Sequence, residues 1–252
     1  PAQSATSHAQ PLSSPISSTT TYRKLAEITS VDNDYASNLA DSFRNSPPWP
    51  SPEDDLHTLG QDSTLVAQPG YTIIPGPWYT YCEGYRAAAG LIAKALTADM
   101  GANRDKDVLI HPFLMLWRHY TELQLKSLCA YMRSRSGADM STKLSHRLDH
   151  LWRETRHLIE SSPYGLPEEL PDVERIILQL HRIDPTSQHA RYPMTHEGTP
   201  TFEGLGPVDL GNFHHAMEAV ANFLETLPDV LEQAYNFQAE MNAEHYNDMY
   251  GY

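Results

Sequence analysis

The stretch LWRHYTELQLKSL, residues 116–128, sets Arg118, His119, Glu122 and Lys126 inside the most apolar part of the chain. Its reading decides the fold. On a helix of 100° per residue with Arg118 at zero, Leu109, Ile110, Phe113, Leu116, Trp117, Tyr120, Leu123 and Leu128 span an arc from about 140° to 280°, and Leu114 and Leu125 carry it to roughly 340°. His111, Arg118, His119, Glu122 and Lys126 fall within about 0° to 100°. A helix apolar over most of its circumference belongs at the centre of a bundle, with one narrow polar stripe. The stripe has its own logic, because Arg118–Glu122 and Glu122–Lys126 are i,i+4 pairs of opposite charge. It reads as a solvated face, as an ion-pair ladder that lets a buried helix carry charge, or as a working site.

Working outward, Pro77 to about residue 100 is helical, with proline suited to the first turn and Gly101 to the end. The central helix runs from about Asp107 to Arg135, and Gly137 stops it. Ser141 or Thr142 caps a third helix reaching about Ser161. PEELPDVERIILQLHRI, residues 167–183, forms a fourth that Asp184-Pro185 ends. Asp209 caps a last long helix to about Asn242, with a bend expected at Leu227-Pro228. No strand alternation competes with these helices. The expectation is an all-α protein, an antiparallel helical bundle with long loops.

Residues 1–21, rich in Ser, Thr, Pro and Ala, read as a disordered tail. Residues 22–76 read as an N-terminal helix (22–44) and an irregular covering segment broken by Pro47, Pro48, Pro50 and Pro52. The bundle occupies 77–252. Two cysteines make no disulfide framework, and no run of 18 apolar residues marks a membrane span. The composition reads as cytoplasmic, with no membrane association.

The net charge of −14 argues against an unspecialised nucleic-acid coat. Its distribution is uneven. Residues 118–157 carry eight basic and four acidic side chains, whereas 158–252 carry three basic and sixteen acidic. The basic segment reads as a surface for a phosphate-bearing ligand, or as a patch that acidic neighbours neutralise. Within it, His146, His150, Arg153 and His157 share one side of the expected third helix, opposite Leu144, Leu148, Leu151, Trp152, Leu158 and Ile159. Histidines at i and i+4 can share zinc, but HRLDH lacks the HExxH pattern and Arg153 would repel a cation, so no metal and no cofactor are expected. Arg and His suit phosphate oxygens, which leaves a phosphate-binding, dimer-facing or solvated stripe. The 185–208 loop, with Arg191, Tyr192 and His196, reads as a lid over a pocket, or as a segment packing Tyr192 and Pro193 on the bundle.

HPFLMLWRHYTELQLKSL (111–128), SHRLDHLW (145–152), RIDPTSQHARYP (182–193) and VDLGNFHHAMEAV (208–220), in that order and spacing, resemble an uncharacterised bacterial branch of the HEPN-like helical proteins. The resemblance spans about residues 77–235. It implies a helical bundle, commonly a homodimer. It also implies a metal-independent endoribonuclease or a nucleotide-acting toxin or defence protein, with RNA or a nucleotide as ligand. The catalytic candidates are then Arg118, His119, Glu122, His146 and His150. Lys126, Arg153, His157, Arg191 and Tyr192 would bind the ligand. Such cleavage needs a base for the 2′-hydroxyl proton and a cation for the phosphorane. This sequence departs from the family pattern where a second histidine would follow Arg118: residues 122–125 are Glu, Leu, Gln and Leu. The alternative is a non-catalytic HEPN-like bundle that dimerises or senses a ligand.

Overall fold

The computed structural model describes residues 55–57, 64, 66–68, 77–97, 103–137, 139, 141, 143–163, 165 and 167–250. Two compact units divide the chain, residues 1–67 and 68–252. The expected tail, the helix at 22–44 and nearly all of the covering segment lie outside the described residues. The larger unit is all-helical: α1 (Pro77–Thr97), α2 (Asn103–Ser136), α3 (Leu148–Glu160), α4 (Leu170–Ile183) and α5 (Leu210–Tyr250). Among the described residues there is no strand, only an isolated bridge between Met194 and Pro200. No described helix is long and apolar enough to cross a membrane.

Each of the other four described helices packs on α2. Phe113, Leu114, Trp117, Tyr120, Leu125, Leu128, Cys129 and Met132 of α2 are buried, as the apolar arc requires. They meet Ala89 and Ala93 of α1, Leu151 and Trp152 of α3, Ile177 and Leu180 of α4, and Val220, Leu224 and Leu231 of α5. Tyr85 of α1 meets His119 of α2, and Arg86 of α1 meets Glu218 and Glu225 of α5. Phe113 meets Phe213 and Tyr131 meets Glu232, so α2 and α5 run parallel, with α1 antiparallel beside them.

The helix ends show which local signals decided. Gly137 takes φ 69° and stops α2, a conformation glycine adopts without a Cβ penalty. Asp209 accepts the Asn212 amide at 2.9 Å and caps α5 as its sequence position suggests. Pro228 lies within a continuous α5. Proline has no N–H to offer the Leu224 carbonyl one turn back, and Gln124 Nε2 of α2 donates to that carbonyl instead, at 3.3 Å.

Three expectations need correction. The start of α3 lies about two turns later than Ser141 suggests. The Ser141 amide and hydroxyl both bond Asp139, residues 143–147 are not helical, and Arg147 precedes α3 with extended backbone. His146 therefore stands before the helix, off the stripe of His150, Arg153 and His157. The last helix runs on to Tyr250, and its side chains from Asn236 onward are exposed. In the 185–208 loop Tyr192 and Pro193 are exposed; Ala190 is buried, while His189 and Phe202 pack edge to face.

Replacing Asp209 by alanine removes the cap of the helix that closes the bundle. Urea unfolding should show a loss of about 1 kcal/mol with an unchanged m-value.

Candidate functional site: a buried arginine shared by three segments

Arg118 and Glu122 project from the same face of α2, one turn apart. Burial makes them unusual: Arg118 is 1% exposed and Glu122 3%. A charge taken out of water must be paired and hydrogen-bonded, or its desolvation opposes folding by several kcal/mol. The surroundings meet that demand. Arg118 Nη1 donates to Glu122 Oε2 at 2.8 Å, Nη2 to the His146 carbonyl at 2.6 Å and Nε to the Asp184 carbonyl at 3.1 Å. One guanidinium thus joins α2, the segment leading into α3, and the end of α4. The planar fork makes this possible, because a lysine ammonium would be a point charge too compact to span three acceptors.

The other oxygen of Glu122 is engaged too. Lys126 Nζ donates to Oε1 at 2.8 Å, and His146 Nδ1 lies 2.8 Å from the same atom. A carboxylate only accepts, so the imidazole tautomer carrying Nδ1–H suits this contact. Burial raises the Glu122 pKa, but the Lys126 and His146 hydrogen bonds and the Arg118 charge outweigh it and hold the carboxyl below its ordinary 4.5. Stability from this group is therefore present above pH 4.5 and is lost as the pH falls through the depressed value.

His119, the adjacent candidate, points elsewhere. Its ring meets the edge of Tyr85 at 4.5 Å on the side facing α1. Burial lowers its pKa below 6.5; Glu122 opposes that shift, and Arg118, Arg191 and Lys126 add to it. The imidazole is neutral at pH 7.

Asp184, which the sequence marks only as a helix end, organises the loop behind Arg118. Its side chain accepts the Gln188 amide at 2.9 Å and the His189 amide at 3.2 Å, while its carbonyl serves Arg118. Asp149 in the first turn of α3 plays a parallel part. Arg147 binds it at 3.0 and 2.8 Å, and His181 of α4 approaches to 3.4 Å. The Arg147 hydrogen bond, chiefly, holds the Asp149 pKa down at about 2. Burial lowers the His181 pKa below 6.5, with Asp149 opposing.

The structure thus brings Arg118, Glu122, Lys126 and His146 into one hydrogen-bonded cluster, with His119 beside it. His146 is 70% exposed at the cluster's edge. His150, Arg153 and His157 lie exposed along α3, and His150 comes no nearer than 3.9 Å to Asp149. Arg191 bonds the Ser187 carbonyl of its own loop at 2.6 Å, and Tyr192 is exposed. The basic segment is mostly neutralised. Six of its eight cations form ion pairs, four of them with acids of the segment and two, Arg135 and Arg156, reaching Glu232, Glu160 and Glu174. Among the described residues no group of three His, Cys, Asp or Glu side chains forms a metal-binding set.

Comparison with known proteins gives no match: no family model, no curated protein and no solved structure aligns with the chain.

Two consequences are measurable. Arg118→Met strands a buried carboxylate and two carbonyls and should cost about 3–5 kcal/mol in urea unfolding. His119 binds its proton less readily folded than unfolded, so it adds stability above pH 6.5 that fades as the pH falls below that value. His119→Gln should flatten the dependence of unfolding free energy on pH between about 7 and 5.5.

Proposed function

We propose that the chain is a non-catalytic helical bundle of HEPN-like type that acts as a dimerisation or ligand-sensing module. The observation that carries this is the state of Arg118. A cation that stabilises a phosphorane must present free N–H groups to solvent-borne phosphate. The Arg118 guanidinium is enclosed, and each of its nitrogens donates within the protein. Glu122 supports the same reading, because a buried carboxylate beside that arginine opposes an incoming phosphate. Association of two copies is supported by the apolar side chains that α5 leaves exposed, among them Phe237, Met241, Tyr246 and Met249. Cys82 and Cys129, both buried and free, suit a reducing compartment such as the cytoplasm.

A second reading, a metal-independent endoribonuclease acting on RNA, rests on His119. Its imidazole is neutral at pH 7 and half-buried, the state a general base requires. In that reading the cation would come from Arg191 or from the exposed face of α3 rather than from Arg118.

Purified full chain incubated with single-stranded and structured RNA should leave it intact. Cleavage that His119→Ala abolishes at unchanged melting temperature would establish the second reading. Sedimentation should show a dimer that the Phe237→Glu/Tyr246→Glu pair converts to monomer.

A further inference from the structure

On the side of α2 opposite Arg118, a cavity of about 560 Å³ opens between α1, α2 and α5. Its size falls in the range of small-molecule sites. Trp78 and Tyr79 of α1 and Tyr131 of α2 contribute aromatic walls, and Leu128 and Cys82 an apolar floor. Its charged lining consists of Glu83, Glu225 and Asp229, and among the described residues no Lys, Arg or His lines it.

The negative charge is not cancelled from behind. Arg86 lies behind the lining and already serves two carboxylates, Glu218 at 2.5 Å and Glu225, together with Asn222 at 2.7 Å, and Arg135, on the Tyr131 side, pairs with Glu232. Tyr120 fixes the remaining oxygen of Glu225 at 2.8 Å. Glu225 is thus positioned rather than free to swing. Glu83 and Asp229 are exposed at the cavity and add charge that Arg86 does not balance. The same carboxylates act on Cys82 of the floor: burial first, then Glu225 and Glu83, push its thiol up to about 12.

We propose that this cavity binds a small organic ammonium ion, an amine whose cationic nitrogen meets Glu83, Glu225 and Asp229 while its hydrocarbon body lies against Trp78, Tyr79 and Leu128. Aromatic faces and carboxylates attract the same charge, and an alkyl body gains from the apolar floor. Phosphate-bearing ligands and carboxylic acids are repelled from it. The site is independent of the Arg118 cluster and of the role proposed for it. On α2 its residues Gln124, Ser127, Leu128 and Tyr131 lie between about 180° and 280° from Arg118.

The test is isothermal titration calorimetry of the full chain with n-pentylammonium chloride, against 1-pentanol as the neutral analogue at the same ionic strength. Saturable binding of the ammonium ion is expected, about tenfold or more tighter than the alcohol. The Glu83→Gln/Asp229→Asn variant changes two exposed side chains, so it should melt like the wild type while binding the ion about threefold to tenfold more weakly. Trp78→Ala should weaken the ion and the alcohol alike. Equal affinity for ion and alcohol, binding that the carboxylate variant leaves unchanged, or no saturable binding of the ion would each overturn the proposal.

Discussion

A guanidinium buried at the centre of the bundle has to be satisfied by whatever surrounds it, and that requirement shapes the rest of the molecule. Arg118 takes its acceptors from segments 28 and 66 residues away in sequence, the His146 and Asp184 carbonyls. Both are backbone atoms, so the demand falls on chain conformation rather than on side-chain identity. The extended residues before α3 present the first carbonyl. The end of α4, fixed by Asp184 bonding its own following amides, presents the second. Glu122 supplies the countercharge, and Lys126 and His146 occupy its remaining oxygen.

The opposite side of α2 follows a different rule. There the apolar arc is covered by α1 and α5, and the principal charge pairing runs from Arg86 to acids of α5. The acidic C-terminal region thus sends Glu218 and Glu225 to a cation of α1 and Glu160, Glu174 and Glu232 to Arg135 and Arg156, while the other four paired cations of the basic segment are neutralised from within it. One helix carries a closed cationic centre on one face and an open acidic cavity on the other. Proximity of the two in sequence says little about any shared role.

Much of the architecture is legible in residues 111–128, because the period of the apolar residues fixes both helix and burial. The Arg118–Glu122–Lys126 ladder is legible too, since i,i+4 spacing is a local property. What burial does to that ladder is not. Its acceptors are backbone carbonyls of distant residues, which have no sequence signature. The start of α3 is illegible for the same reason: Ser141 and Thr142 offer good capping chemistry, but tertiary pairing of the His146 carbonyl with Arg118 favours extended chain there. Asp184 looked like punctuation before a proline and is a hub. The acidic cavity leaves no sequence signal because Trp78, Glu83, Tyr131, Glu225 and Asp229 belong to three helices.

The geometry of Arg118 also bears on the order in which the chain acquires structure. As the polypeptide lengthens, α1 and α2 are complete long before Asp184 exists. Their pairing covers the face of α2 away from Arg118 and leaves its guanidinium in water with only Glu122 beside it. The cost comes when α3 and α4 dock over that guanidinium, and it is met only if the carbonyls of residues 146 and 184 arrive in place. Such long-range closure slows the search while making the transition more nearly all-or-none. The cluster that holds the finished bundle together thereby acts as a proofreading step, one that partially docked helices fail.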